Sequence, residues 1–348
     1  GYEEVPTEML SSQIPHQHQN VKYDVREELK DLLVSAGMQE IVSYPLISQS
    51  AIEKLGGVTE KNPLKVANQM SSEFVFARPT LRASILQTLS YNQQSSGEQN
   101  FKLFEVGRVF LPTETLTSET PLPNEIEMVA GILSGTRNEI SWIQSPEKLD
   151  FFDGKGILEN AFSNLGIQPT YHLIKTSTNK IESEPLNTVK NILDLSSSAY
   201  IMSESNLLGV LGEIDQHTLE SFDLDKSSGA IFFELDLNSI VSCISNSKNN
   251  YVPISKFPEA YRDIAIVVNE DILSSTIQNI IHNHKLVINS VPFDVYSGKG
   301  VELGRKSIAF RITFQSPQNT LTSKQVDKAM KTILRQLHQE LAAELREI

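Results

Sequence analysis

The sequence predicts an α+β protein in two parts, and three observations predict it. Short apolar runs of period two are interleaved with apolar stripes of helical period over roughly the first 230 residues, the mark of a mixed or antiparallel sheet with helices. From Ser255 onward the order reads strand, helix, strand, strand, helix, strand, which is the split βαβ plan. Charge divides along the same line. The 348 residues carry a formal charge of −13, yet Ser255–Ile348 holds 12 Lys and Arg against 10 Asp and Glu, leaving 18 against 33 for the 254 residues before it.

That balance argues against a chain that coats nucleic acid or an anionic membrane along its whole length, and leaves only the tail to meet a polyanion. One cysteine, Cys243, excludes an intrachain disulfide and a cysteine-rich zinc site, and its apolar setting reads as a small packed hydrophobe. No apolar run reaches the roughly 20 residues of a membrane helix, and no signal-peptide pattern opens the chain, so a soluble cytoplasmic protein is expected. The opening "GYEEVP" reads as the exit from an earlier structure, and hence as a fragment of a larger protein.

Residues 1–20, with two prolines and no sustained period, are expected to be a linker or arm. From Lys22, Val25, Leu29, Leu32 and Leu33 recur at helical spacing up to Gly37, a helix-ending glycine. "MQEIVSYPLIS" then reads as a strand running into a turn, and Ala51–Leu55 as a short helix closed by Gly56 and Gly57. In "SSEFVFARPTLRASILQTLSYNQQ" a short strand precedes a helix with Leu81, Ile85, Leu86 and Leu89 on its apolar stripe and Thr80 as the expected N-cap. "FKLFEVGRVFLP" reads as a long strand or strand pair, "EIEMVAGILSG" as a strand, and "FFDGKGILENAFSNLGI" as a helix ending at Gly166. "KNILDLS", "LLGVLGEID" and "AIFFELDLNSI" read as three further strands, and "SNSKNNYVP" as the linker to the tail. The expected domains are therefore residues 21–245 and 255–348.

In the tail, parity places Ile264, Ile266 and Val268 on one sheet face with Ile308, Phe310, Ile312 and Phe314. Asp263, Ala265, Val267, Ala309, Arg311 and Thr313 fall on the other. In "VPFDVYSG", Phe293 and Val295 are expected on one face, Asp294 and Tyr296 on the other. With two helices over the apolar face, the plan is ferredoxin-like and its open face gathers Tyr296, Arg311 and small residues. Such a face suits single-stranded RNA, since an aromatic ring stacks on any base and a guanidinium meets phosphate. Solvent-facing strand residues fit the same pattern, because strands favour aromatics anyway. In the last helix Val326, Met330, Ile333, Leu334, Leu337 and Leu341 form a buried stripe. Lys324, Lys328, Lys331, Arg335 and His338 line another face, either a solvated surface or a track for an RNA backbone. The pairs His16/His18 and His282/His284 lack carboxylate companions and do not read as metal sites.

At these residues the tail resembles the ferredoxin-fold anticodon-binding domain that ends the β subunit of bacterial phenylalanyl-tRNA synthetases. The resemblance rests on "KFPEAYRDIAIVV", "FDVYSG", "GRKSIAFRITFQ", "NTLTSKQVD" and "AELR", with Asn319 standing where the family carries a basic residue. The acidic part is similar to the catalytic-like module of the same subunit, a class II synthetase-like antiparallel-sheet domain, through "NPLKVANQMSSEFVFARPTLRASILQTLSYN", "FKLFEVGRVF", "FFDGKGILENAF" and "LLGVLGEIDQHTLESFDL". Class II chemistry needs an arginine for the ATP α-phosphate and another for the γ-phosphate, because negative charge develops at phosphorus. "FKLFEVGRVF" shows no Arg-x-Glu pair and "LLGVLGEID" no arginine, while Arg78, Arg82 and Arg108 are spaced for structural ion pairs or an interface.

The resemblance therefore implies a catalytic fold without catalytic residues or a cofactor of its own. It implies an (αβ)2 phenylalanine–tRNA ligase in which ATP and Mg2+ act at the α subunit. The segment Tyr23–Leu46 would share in the α contact, and the N-terminal half of the subunit, with its editing domain, would be missing here. Tyr296 is the expected base-stacking residue for the tRNA(Phe) anticodon, with Arg262, Lys306 and Arg311 as secondary contacts and Lys328, Lys331 and Arg335 after them. A protein-interaction scaffold without RNA binding is the alternative.

Overall fold

The computed structural model describes residues 1–9, 11–12, 20–57, 63–113, 122–139, 141–176, 185–244 and 253–346; His16, His18 and the expected linker at 245–252 lie outside them. The chain forms two compact units, Gly1–Asn249 and Asn250–Ile348.

In the first unit, helix α1 (Val21–Ser35) is capped by the Asn20 side chain and ends before Gly37, whose φ of 85° is a backbone conformation that suits glycine. The following segment gives only short strands, β1 (Gln39–Glu40) and β2 (Leu46–Ile47), before α2 (Gln49–Lys54). Strand β3 (Phe76–Ala77) pairs with β2, and α3 (Arg82–Ser96) follows. Two 11-residue strands, β4 (Phe101–Leu111) and β5 (Asn124–Ser134), pair along their whole length. Next come α4 (Phe151–Asn164), β6 (Thr170–Leu173), β7 (Leu193–Ser203), β8 (Asn206–Ile214), α5 (Gln216–Ser221), β9 (Ile231–Asp236) and α6 (Leu237–Ile244). The run expected as one strand, "AIFFELDLNSI", thus divides into β9 and α6. Cys243 on α6 is half-buried against the apolar core.

Seven strands form one sheet in the order β1-β4-β5-β9-β8-β7-β6, antiparallel except where β1 meets β4. Both faces are covered, which explains why its strands are apolar almost throughout and not alternating. Leu103, Met128, Ala130, Ile132 and Phe232 pack with α2 and α3, while Phe104, Val129, Leu133 and Phe233 pack with α1, α4 and α6. Gly131 sits opposite Phe233 in the ladder, and a Cβ there would stand 2.1 Å from the Phe233 ring. Glycine is required so that the ring can lie flat across the strand.

The two arginines of "RPTLR" are consumed by this core. Arg78 donates to Glu105 at 2.7 Å, to Ser43 Oγ at 2.8 Å and to the Arg108 carbonyl at 2.9 Å. Arg82 donates to Glu234 at 2.7 Å and to Thr188 at 2.9 Å, and it also reaches the Pro185 carbonyl. Arg108, by contrast, forms an exposed pair with Glu125. Thr80 is not the N-cap of α3: its hydroxyl is buried without a partner, and the helix starts after Leu81 with no side-chain cap of its own. The Glu234 carboxylate takes the Leu81 N–H at 3.3 Å instead, so a long-range acid replaces the local hydroxyl.

The second unit is a four-stranded antiparallel sheet in the order β11-β12-β10-β13. Its strands are β10 (Ala260–Asn269), β11 (Val287–Tyr296), β12 (Arg305–Phe314) and β13 (Glu344–Leu345). Helices α7 (Ser274–His282) and α8 (Ser323–Leu341) cover one face around Ile266, Val268, Ile308, Phe310, Ile312 and Phe314. Thr322 and Gln325 form the capping box of α8. No helix among the described residues is long and apolar enough to cross a membrane.

Replacing Glu234 by Gln leaves the fully buried Arg82 guanidinium without its counter-charge, and a broken buried pair costs about 3–5 kcal/mol. Urea unfolding followed by far-UV circular dichroism will show that loss, while Arg82→Met with Glu234→Leu will recover much of it, because an apolar pair of similar volume carries no desolvation cost.

Candidate nucleic-acid interface

The face of the second sheet opposite α7 and α8 carries the side chains at odd positions of β10 and β12. Register sets them in rows: Val291, Arg311 and Asp263; then Asp294, Ala309 and Ala265; then Tyr296, Ser307 and Val267. Small side chains occupy the centre of the sheet, and Ser307 and Ala309 are buried beneath their taller neighbours. Tyr296 stands at one margin, 37% exposed, its hydroxyl donating to the Lys299 carbonyl at 3.2 Å. A Cβ on Gly298 would lie 2.6 Å from that hydroxyl, so only glycine lets the ring settle in this position.

Arg311 shares the face with Tyr296, as parity requires, but it is not a free cation. It makes a bidentate pair with Asp263, Nε to Oδ1 at 2.8 Å and Nη2 to Oδ2 at 2.7 Å. The pair holds the Asp263 carboxyl below the usual carboxylate range and Arg311 above its ordinary value. A bulge in β11 between Pro292 and Asp294 leaves Phe293 out of the ladder and brings its ring to 5.8 Å from the Arg311 guanidinium. Phe293 therefore does not follow the alternation expected of a regular strand.

Three residues of this face escaped the sequence reading. Tyr261, two positions before Asp263, is exposed, and its hydroxyl donates to Glu259, which pushes its pKa up. Its parity was available in β10. Phe293 was misplaced by simple parity, although Pro292 before it, a residue strands confine to edges and bulges, was a local signal. Arg346 follows the edge strand β13, and its guanidinium lies 4.9 Å from the centre of the Tyr296 ring. Only the pairing of β13 with β10 makes that meeting visible.

Other expected contacts lie elsewhere. Arg262 shares the parity of Ile264 and donates to Asp327 on α8 at 3.1 Å, on the helix side of the sheet. Lys306 has the parity of Ile308 and points to that side too. Lys324, Lys328, Lys331, Arg335 and His338 are exposed on α8, whose buried stripe of Val326, Ala329, Ile333 and Leu337 faces the sheet. The helix is on the far side of the sheet, so its cations line a surface turned away from Tyr296 and do not flank the open face. His282 bonds Ser290 Oγ at 3.0 Å, and among the described residues no group of three or more His, Cys, Asp or Glu is placed to hold a metal.

Comparison with known proteins fits both units. The family described as "Phenylalanyl tRNA synthetase beta chain CLM domain" matches residues 5–237, and the "Ferredoxin-fold anticodon binding domain" matches residues 255–346. A phenylalanine–tRNA ligase β subunit from Dehalococcoides mccartyi (strain CBDB1) is 30% identical over 346 residues, covering 99% of this chain and 40% of that protein. One from Clostridium acetobutylicum is 29% identical over 361 residues, covering 99% of this chain and 40% of that protein. The chain thus spans about two fifths of the length of the curated relatives it matches. Among solved structures, a pyrrolysyl-tRNA synthetase from Desulfitobacterium hafniense aligns with a TM-score of 0.45 at 12% identity, over 65% of this chain and 67% of that one. With two thirds of its length matched by one family and the remaining module by the companion domain, the chain belongs to the phenylalanyl-tRNA synthetase β-chain family.

Proposed function

We propose that this chain is the portion of a phenylalanine–tRNA ligase β subunit that reads the tRNA(Phe) anticodon and mounts the reader on the catalytic α subunit. The observation that carries the reading is the Tyr296 ring, fixed at the margin of an open sheet by Gly298, the Lys299 carbonyl and Arg346. A ring held in one orientation presents a π-face to an unstacked base with little further loss of freedom.

The first unit supports the mounting role. Arg78 and Arg82 are buried in ion pairs and have no charge to offer a triphosphate, which supports a reading in which ATP and Mg2+ act at the α subunit of a cytoplasmic (αβ)2 enzyme. Along Tyr23–Leu46, Tyr23 is 52% exposed, Val42 92% and Tyr44 64%, apolar surface that a partner would cover. Co-expression with an α subunit tests this: the two chains will co-purify, and replacing Val42 and Tyr44 by Ser will weaken the complex.

Filter binding of the tRNA(Phe) anticodon stem-loop to the intact chain tests the reader. Stacking is worth about 1–3 kcal/mol per base, so Tyr296→Ala will weaken binding by about 5- to 150-fold. An unchanged affinity would favour a protein-docking face.

Arg311 responds to its partner. Because the folded Asp263 pKa is lowered, the pair's contribution is intact above the unfolded carboxylate range and fades only as pH falls through the lowered value. Asp263→Asn frees the guanidinium at neutral pH. Binding to the stem-loop will then tighten, and its salt slope will steepen by about 0.7 for the one phosphate gained.

A further inference from the structure

The chain leaves α8 through Ala342, whose φ of 49° is left-handed, and reverses into β13, which pairs with β10 by only two residues, Glu344 with Val267 and Leu345 with Ile266. Two pairs make a weak edge, and the strap is secured by side chains. Arg305, at the start of β12, reaches across β10 and donates to Glu344 Oε1 at 3.1 Å, to the Ala342 carbonyl at 3.4 Å and to the Val267 carbonyl at 3.3 Å. On the helix side, His338 Nδ1 lies 3.1 Å from the Ala343 carbonyl, and Ala343 is buried in the core. Beyond these anchors the Arg346 N–H donates to the Ala265 carbonyl at 2.9 Å, and its side chain falls over Tyr296.

We propose that Arg305 is a positioning residue for the stacking platform: by latching the C-terminal strap to β10 it holds the Arg346 guanidinium over the Tyr296 ring. Its fork meets strap and strand at once, which a lysine ammonium does not reproduce. The ring then has one face occupied and one face free, with a fixed cation near any nucleotide that stacks on it. This deepens, and rests on, the reading of the open face as an RNA platform.

The test uses the intact chain and two readouts. Amide hydrogen exchange will show the Arg346 N–H protected in the parent and exchanging at least tenfold faster in Arg305→Ala, with the Phe310 and Ile312 amides unchanged. Glu344→Gln, which severs only the exposed ion pair, will give a smaller acceleration. Stem-loop binding will fall several-fold in Arg305→Ala and in Arg346→Ala, and the double variant will be no weaker than the weaker single one, because both act through one contact. Arg305→Lys will restore little. Equal Arg346 exchange in parent and Arg305→Ala overturns the latch. So does an additive double variant, which would mean that Arg305 meets RNA directly. If Tyr296→Ala and both arginine variants leave RNA binding untouched while exchange still accelerates, the RNA reading fails and the latch stands.

Discussion

Glu234 lies fully buried on β9, and a carboxylate there persists only if its surroundings supply the hydrogen bonds and charge that water would have given. Two neighbouring groups do so. The N-terminus of α3 offers the Leu81 amide, Arg82 offers its guanidinium, and Arg82 in turn ties down the segment at Pro185 and Thr188. Sheet, helix and connection are locked to one another by a single charge. Buried ion pairs add little net stability over apolar residues of like volume, but they penalise any arrangement that leaves one partner alone. Within a largely apolar two-faced sheet, that penalty fixes where α3 sits.

The same burial decides what Arg78 and Arg82 can offer to solvent. A cation that binds a triphosphate has to be accessible and short of counter-charge, and Arg78 and Arg82 are neither. The arginines are turned inward, as structural pieces. The second unit follows the opposite logic. One face is closed by isoleucines, phenylalanines and two helices, and the other keeps its polar and aromatic groups outward, with Asp263 and Phe293 restraining Arg311.

Much of this was legible. Period-two alternation in "KSIAFRITFQ" assigned each residue of β12 to its face, and the apolar stripe at Val326, Ile333 and Leu337 marked the buried side of α8. Thr80 failed as a cap because a carboxylate 154 positions away in sequence outcompeted its hydroxyl, a tertiary contact that no local signal reports. Parity failed at Phe293 because one extra residue in β11 shifts the count. Arg262, Lys306 and the α8 cations are expected beside Tyr296 from the resemblance and the helix spacing, whereas the sheet itself stands between them. Arg346 falls within the motif "AELR", but its contact with Tyr296 depends on which strand the last residues join.

Ala342 and Ala343, the hinge of two residues between α8 and β13, carry no reactive group, though the left-handed backbone of Ala342 and the burial of Ala343 restrict what can stand there. Their number matters as well as their identity. Side chains along a strand alternate between faces, so one residue inserted into or removed from this hinge would slip β13 by a single step. Leu345 would then be thrust among the groups of the open face, and Arg346 would turn towards the helices. The molecule thus measures the distance from its last helix to its final arginine by counting residues, and a frame-preserving change of length at an inconspicuous position would silence a side chain that no substitution had touched.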